Sequence, residues 1–380
     1  MTTTTTTTAK SDIDRLEIHV LGGTKGESIV LRLPNAKWGV VDCYAKSLKD
    51  PSSNATLKFL ADRGVSELEF VCLTHPHDDH FRGMSQILAE FRVHSFWRFG
   101  GLSGKHFHKL VHYYQMEAHR GGTAEVKENA NEFETIFGIV RNRRRDPAPE
   151  RHMAEEMVTS RQQLYPVPLD TNAEFQIWGL APSGDRIGNY NDGFLKCFRG
   201  EKVVGQFPYE DHNIISVALL VQYGTTRVIL GGDVANAGWD DVLRDFTADK
   251  LASHVIKVSH HGSSTSYTDC VWRLFAANSL SIAVVTPFWR HRLPDRGILD
   301  KIRSFAQETL TTCLPAVFPP SRVLPLSVNA SIGSRRAVAN EMGMQPEPTI
   351  PHPGRCSFVF DNSGHCVEKK CEEPAGIVTT

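Results

Sequence analysis

The sequence predicts an α/β sandwich, and three observations carry that prediction. Short strands with period-two alternation open the chain, strands and helices then mix, and the second half carries a hairpin followed by a β-α-β-α series. The chain has 380 residues, 41 % hydrophobic and 22 % charged. That composition is ordinary for a globular protein with one large core or two modest ones.

The elements follow in order. Leu16-Glu17-Ile18-His19-Val20-Leu21 alternates as a half-buried strand does, and Gly22 to Gly26 is a turn. Ser28–Leu33 is a second strand, stopped by Pro34, and Trp38–Asp42 is a third that ends on a carboxylate. Leu57–Gly64 has helical spacing and a glycine at its end. Leu68–Thr74 is a β-rich apolar run that feeds directly into His75-Pro76-His77-Asp78-Asp79-His80. Met84–Phe91 reads as helix and Val93–Trp97 as strand. Residues 101–165 read as a helical insertion containing the basic run Arg141–Arg145, and Pro182–Gly193 reads as a loop. Phe175–Leu180 is a strand, and Ile214–Gln222 with Thr226–Leu230 forms a hairpin ending in Gly231-Gly232-Asp233. Trp239–Phe246 is helical, and Val255–Val258 is a strand that runs into Ser259-His260-His261-Gly262-Ser263. Val271–Ala277 is helix, Ser281–Val285 strand, Gly297–Phe305 helix and Cys356–Phe360 a last strand. The Thr-rich start, 1–10, reads as a disordered leader, residues 11–372 as one domain with an irregular Pro/Ser-rich stretch at 312–354, and 373–380 as a tail.

Charge and cysteine usage exclude some classes. Lys plus Arg number 42 and Asp plus Glu 43, so the surface as a whole offers no electrostatic case for nucleic acid or membrane. The eight cysteines form no C-x-x-C pair and several lie in apolar runs, which suits buried thiols in a reducing compartment. No apolar run reaches the roughly 18–20 residues of a membrane helix, so no membrane span is expected and a cytoplasmic location is. The 17 histidines are the informative count, because they cluster and because histidine is the commonest metal ligand.

His75-x-His77-x-Asp79-His80 is the central signal. Three imidazoles and a carboxylate fall within six residues directly after a buried strand, and Pro76 forces a tight loop. Such a loop can turn His75 and His77 one way and Asp79 and His80 the other, serving two adjacent metal sites. Imidazole nitrogen and carboxylate oxygen suit zinc, and also manganese or iron. Asp42, at a strand end, is placed to support the ligand loop by hydrogen bonding. In the insertion, His106, His108, His112 and His119 interleave with Phe107, Tyr113 and Tyr114, which favours packing or cleft lining over a further metal site.

This H-x-H-x-D-H loop resembles the signature of the metallo-β-lactamase superfamily, an αββα sandwich. The resemblance extends in order over about residues 16–300, apart from the insertion at 101–165. Asn213-Ile214-Ile215-Ser216, Gly231-Gly232-Asp233 and Lys257-Val258-Ser259-His260-His261-Gly262-Ser263-Ser264-Thr265-Ser266 are similar to motifs of the branch typified by the soluble domain of the DNA-uptake protein ComEC. Glu27 stands where that branch usually has Asp, and Cys43 where Gly is frequent. The resemblance implies two divalent cations, zinc foremost. His75 and His77 would serve one, Asp79 and His80 the other, and Asp233 both. Either His260 or His261 would complete the second site, and His212 is a further candidate. It implies hydrolysis by a metal-bridged hydroxide, with Asp79 and Asp233 catalytic. Lys257, Ser263, Ser264 and His291 are candidate substrate contacts. A phosphodiester, possibly in a nucleic acid, is the expected substrate. A small ester, cyclic nucleotide or lactone is the alternative, and an inactive metal-binding partner protein is a third reading.

Overall fold

Asp42 and Thr74, and likewise Asp233 and His260, become neighbours because the strands they follow run parallel. That pairing is the key to the architecture. In the computed structural model, residues 14–101, 124–198, 212–278, 280–314 and 348–378 are described, 194–198 for their backbone only. Two eight-stranded sheets form the centre. The first contains β1 (Leu16–Gly22), β2 (Glu27–Arg32), β3 (Trp38–Val41), β4 (Glu67–Leu73), β5 (Arg92–Phe99), β6 (Ala154–Val158), β14 (Gly354–Phe360) and β15 (Cys366–Glu372), in the order β15-β14-β1-β2-β3-β4-β5-β6. The second contains β7 (Gln163–Tyr165), β8 (Phe175–Ala181), β9 (Ala218–Tyr223), β10 (Thr226–Leu230), β11 (Val255–Lys257), β12 (Ile282–Val285), β13 (Glu308–Thr311) and β16 (Gly376–Ile377), in the order β16-β13-β12-β11-β10-β9-β8-β7.

Period-two alternation sorts side chains between two cores. In the second sheet, Leu219, Val221, Val228 and Leu230 face the first sheet's Ile18, Val20, Phe70 and Cys72, while Ala218, Leu220 and Ile229 face the other way. That outer face is covered by α6 (Asn236–Asp245), α8 (Asp269–Phe275) and α9 (Arg296–Phe305), through Trp239, Val242, Val271, Trp272, Ile298 and Ile302. The first sheet is covered by α1 (Ala55–Ala61), α3 (Met84–Glu90) and α4 (Ala124–Arg144), through Phe59, Met84, Ile87, Phe133, Ile136 and Phe137. Helix, sheet, sheet, helix is thus an αββα sandwich, the class the sequence predicts. A short α2 (Asp78–Phe81), α5 (Gly184–Phe198) and α7 (Ala248–Leu251) complete the helices described. None of the described helices is long and apolar enough to cross a membrane.

Local chemistry sets the helix starts. Asn54, Thr268 and Asp295 cap α1, α8 and α9 by accepting from Leu57 N, Val271 N and Ile298 N. Gly83, which starts α3, is left-handed at φ 91°, and a Cβ there would lie 2.6 Å from that of Ala45. Its cap is borrowed: Glu132 Oε1 from α4 accepts from Gly83 N and Ser85 N at 3.0 Å each.

Four expectations are corrected. The helical reading of 101–165 covers α4, but 154–158 and 163–165 are strands β6 and β7, one at the edge of each sheet. Pro182–Gly193, read as a loop, is largely helix α5. Gly188, Gly193 and the Asn/Asp content mask the apolar pair Ile187 and Tyr190, three residues apart on one helix face. The expected strand 214–222 begins only at Ala218, because Ile214 and Ile215 belong to a 3-10 turn, His212–Ile215. Strands β13, β15 and β16 have no counterpart in the sequence pattern, because charges alternate irregularly in Cys366–Glu372 and the other two are short. The leader 1–10, the histidines at 106, 108, 112 and 119, and most of 312–354 lie outside the described residues.

Candidate metal centre

The site lies where parallel strands of both sheets end, the usual place for ligands in such sheets. In the first sheet β3 pairs parallel with β4, so Asp42 sits beside Thr74 and His75. In the second, β10, β11 and β12 run parallel, so Asp233, His260, His261 and Thr286 come together. Val217 N donates to Thr74 O at 3.0 Å and joins the two sheets at this point. Gly232 is left-handed at φ 49°, and a Cβ there would lie 2.3 Å from Val217 O. Asp42, His260 and His261 also have positive φ, of 58°, 48° and 53°. They are half of the six described non-glycine residues that do. Strain of ~1–3 kcal/mol per residue is thus concentrated here, as it is at functional sites.

Two groups of ligand atoms result. His75, His77 and Asp233 form the first, with His75 Nε2 lying 2.9 Å from His77 Nδ1 and 3.7 Å from Asp233 Oδ2. Asp79, His80 and His261 form the second. His261 Nε2 is 2.9 Å from Asp79 Oδ2, and His80 Nε2 is 3.5 Å from Asp79 Oδ2 and 3.4 Å from Asp233 Oδ1. Asp233 therefore faces both groups through its two oxygens.

Outer partners fix which nitrogen is free. His261 Nδ1 donates to the Thr286 carbonyl at 2.9 Å, so its Nε2 lone pair points into the site. His80 Nδ1 donates to Asp42 Oδ2 at 2.7 Å, with the same consequence. Thr74 Oγ1 donates to Asp42 Oδ2 at 2.7 Å and accepts from His75 Nδ1 at 3.0 Å. Asp42 thus orients a ligand of each group, directly for His80 and through Thr74 for His75. His80 Nε2 and Asp233 Oδ1 are fully buried and have no hydrogen-bond partner among the described residues. Buried polar atoms are normally paired, so two orphans aimed at one another fit a cation between them.

Charge makes the same point. Glu27, Asp42, Asp79 and Asp233 are all buried, against one buried lysine among the described residues, Lys257. Burial by itself raises a carboxylate's pKa. At Asp79 and Asp233 the neighbouring imidazoles outweigh it and hold the carboxyls below their ordinary range. At His80, burial is outweighed by Asp233, Asp79, Asp42 and Glu27, which raise its pKa well above the usual value. Bound cations would supply the positive charge this cluster calls for.

Glu27, His80 and His261 could also be taken as a cation site, because Glu27 lies 3.8 and 3.7 Å from their Nδ1 atoms. Those Nδ1 atoms already donate to Asp42 and Thr286. The Lys257 ammonium meanwhile pairs with Glu27 Oε2, which also accepts from Thr286 Oγ1 at 2.6 Å. A resident ammonium fills the position behind the imidazoles. This corrects the reading of Lys257 as a substrate contact: its side chain is fully buried beneath the site.

The remaining expected residues separate. His261, not His260, joins Asp79. His260 is at the rim, 24 % exposed, with Nε2 3.8 Å from Asp233 Oδ2 and 3.4 Å from Asn213 Nδ2, and with Nδ1 near Thr265 Oγ1 at 3.1 Å. His212 is buried, its ring 5.4 Å from that of His77, and its Nδ1 meets Tyr190 Oη at 2.8 Å. Ser263 caps the turn at Ser264–Ser266, and Ser264 is exposed. His291 is exposed in a 3-10 turn, and its ring packs on Phe288, which packs on His261. Asp78, not singled out from the sequence, anchors the ligand loop to Lys25 Nζ at 2.7 Å and Asn129 Nδ2 at 2.9 Å. Nothing in the spacing of Glu27, Tyr190 or Thr286 marks them in the sequence. Two arginines of the basic run are engaged elsewhere: Arg143 donates to Phe91 O and Arg144 pairs with Glu155.

No protein-family model matches the sequence, and no curated protein matches it. Among solved structures, the chain is similar to one described as a new diphosphatase from the PhnP family. The TM-score is 0.34 at 9 % identity, covering 74 % of this chain and 89 % of that one. It is also similar to Zn(2+)-bound PqqB from Methylobacterium extorquens, with TM-score 0.33 at 9 % identity, covering 63 % and 71 %. At that distance the fold class stands on the sheet topology, and the site on its own side chains.

Proposed function

We propose that this chain is a metal-dependent hydrolase of phosphodiester bonds, a phosphodiesterase or nuclease, using two divalent cations with zinc foremost. The observation that carries the reading is the shared carboxylate: Asp233 faces two adjacent imidazole groups, and its Oδ1 and His80 Nε2 are buried without hydrogen-bond partners among the described residues. His75, His77 and Asp233 would hold one cation, with His212 or His260 adjacent. Asp79, His80, His261 and Asp233 would hold the other. Bound there, such cations supply Lewis-acid activation of water and of the oxygen under attack. The chain's own contribution is positional. Asp42 and Thr286 O fix the imidazoles, Asp79 and Asp233 present carboxylate oxygens to orient the attacking water, and the two packed sheets shield the ligands from solvent. The ComEC-like motifs favour a phosphodiester.

A second reading, hydrolysis of a small ester, cyclic nucleotide or lactone, is favoured by one observation. Lys257 is withdrawn into the core and gives no charge to a polyanionic substrate.

The test combines metal analysis with substrate challenge. Purified protein is expected to hold about two transition-metal ions per chain. Metal-loaded protein should cleave bis(p-nitrophenyl) phosphate and single- or double-stranded nucleic acid. Asp233→Ala, which removes the shared ligand, should lose both metal and turnover. Cleavage of the small ester without nucleic-acid cleavage selects the second reading. No turnover by metal-loaded protein overturns both.

A further inference from the structure

Outside the metal loops, the edge of the first sheet carries a pair of thiols in direct opposition. Strands β14 and β15 are antiparallel, and Cys356 is the register partner of Cys371. Their sulfurs are 3.7 Å apart. Directly opposed residues of an antiparallel pair have Cα separations of ~4.5–5.5 Å, inside the range a disulfide spans. Cys356 is fully buried, and Cys371 is half-buried on the edge strand, the more accessible residue of the pair.

The register explains why a third cysteine shares this face. Cys366 and Cys371 are an odd number of residues apart and in a regular strand would point to opposite sides. The ladder shifts at Val359/Phe360, where Phe360 pairs with Cys366 but Val359 pairs with Glu368. One extra residue, Val367, bulges out of β15 and restores the phase. Cys366, Lys369 and Cys371 therefore oppose Phe360, Phe358 and Cys356, all three of which point inward. Contact with the Cys356 sulfur lowers the Cys371 thiol's pKa, with a smaller contribution from the Lys369 ammonium, whereas burial raises that of Cys366.

We propose that Cys356 and Cys371 form an oxidisable dithiol that closes into a cross-strand disulfide and staples the edge strand to the sheet. A low-molecular-weight disulfide such as oxidised glutathione is the oxidant. The Cys371 thiolate attacks one of its sulfurs and expels one glutathione thiolate, giving a mixed disulfide. Cys356 sulfur, losing its proton, then attacks Cys371 sulfur and expels the second. Two protein thiols are oxidised, two glutathione thiols are formed, and the step reverses with excess dithiol.

The experiment titrates thiols in the full chain after equilibration with oxidised glutathione and denaturation in acid. Of eight thiols, six are expected to remain, with a 2 Da mass loss and one cross-linked peptide joining 356 to 371. Excess dithiothreitol should restore all eight. Cys371→Ser, a conservative change on the edge strand, should keep all seven of its thiols free of intramolecular pairing, while Cys366→Ser should still lose two. Retention of all eight thiols would overturn the proposal, and so would a cross-link through Cys366. A Cys371→Ser protein that still loses two thiols would overturn it equally. None of these readouts depends on metal or activity.

Discussion

The two ligand groups of the candidate metal centre are built differently. The second group, Asp79, His80 and His261, is enclosed: all three are buried, and Asp42, Thr286 and the Glu27–Lys257 pair back the two imidazoles from behind. The first group, His75, His77 and Asp233, opens toward the rim, where His77 is half-buried and His260 is 24 % exposed. Its neighbour His212 is held by one helix residue, Tyr190. The contrast teaches that ligand identity and ligand rigidity come from separate sources. In the enclosed group both imidazoles are held directly by strand-end partners, one from each sheet, whereas in the open group His75 is held only through Thr74 and the neighbouring His212 meets a helix residue. The enclosed group is expected to keep its cation longer on dialysis against chelator.

The largest expected effect lies beneath the enclosed group. Lys257→Met leaves Glu27 buried without its counter-charge, which costs ~3–5 kcal/mol for a broken buried pair. The midpoint of urea unfolding should fall accordingly. Adding Glu27→Gln should recover much of the loss, since the uncompensated charge is gone. A single variant as stable as the parent would show that the ammonium is not the counter-charge described here.

Asp42→Asn tests the link between the groups. Asn tolerates the left-handed backbone at this position, but an amide NH2 can no longer accept from both His80 Nδ1 and Thr74 Oγ1. Metal affinity should drop ~10–100-fold, as for other partners that orient metal-bound histidines. The drop should be greater at the enclosed group, which Asp42 touches directly, than at the open one, which it reaches through Thr74. Competition with a chromophoric chelator reads both. Equal loss at the two groups would remove the distinction between them.

Tyr190→Phe should give the smallest change. It removes only the oxygen that meets His212 Nδ1, so weakening of the open group toward the lower end of that range, about tenfold, is expected if His212 binds a cation there. The enclosed group should be unaffected, and stability nearly so. Unchanged affinity at the open group would point to His260 as the nearer ligand.

Much of this was legible in the sequence, for specific reasons. The metal loop is contiguous, so H-x-H-x-D-H displays its chemistry without tertiary information. The strands that precede Asp42, His75, Asp233 and His260 are apolar runs whose ends could be read directly. Helix α5 was hidden because glycines and Asn/Asp dilute its spacing, and β15 because a bulge breaks its alternation. Lys257 misled: a lysine three residues before a histidine pair looks like an anion contact, and nothing along the chain shows that it points inward.

By itself the sequence determined the layer architecture and the donor types, because periodicity and residue chemistry are local properties. Only the tertiary structure decided that His261 rather than His260 meets Asp79, that Lys257 points inward and pairs with Glu27, and that Thr286 and Tyr190 belong to the centre at all. Those facts depend on which strand ends are parallel neighbours across two sheets. That adjacency is set by the packing of residues hundreds of positions apart, and no single stretch of the chain records it.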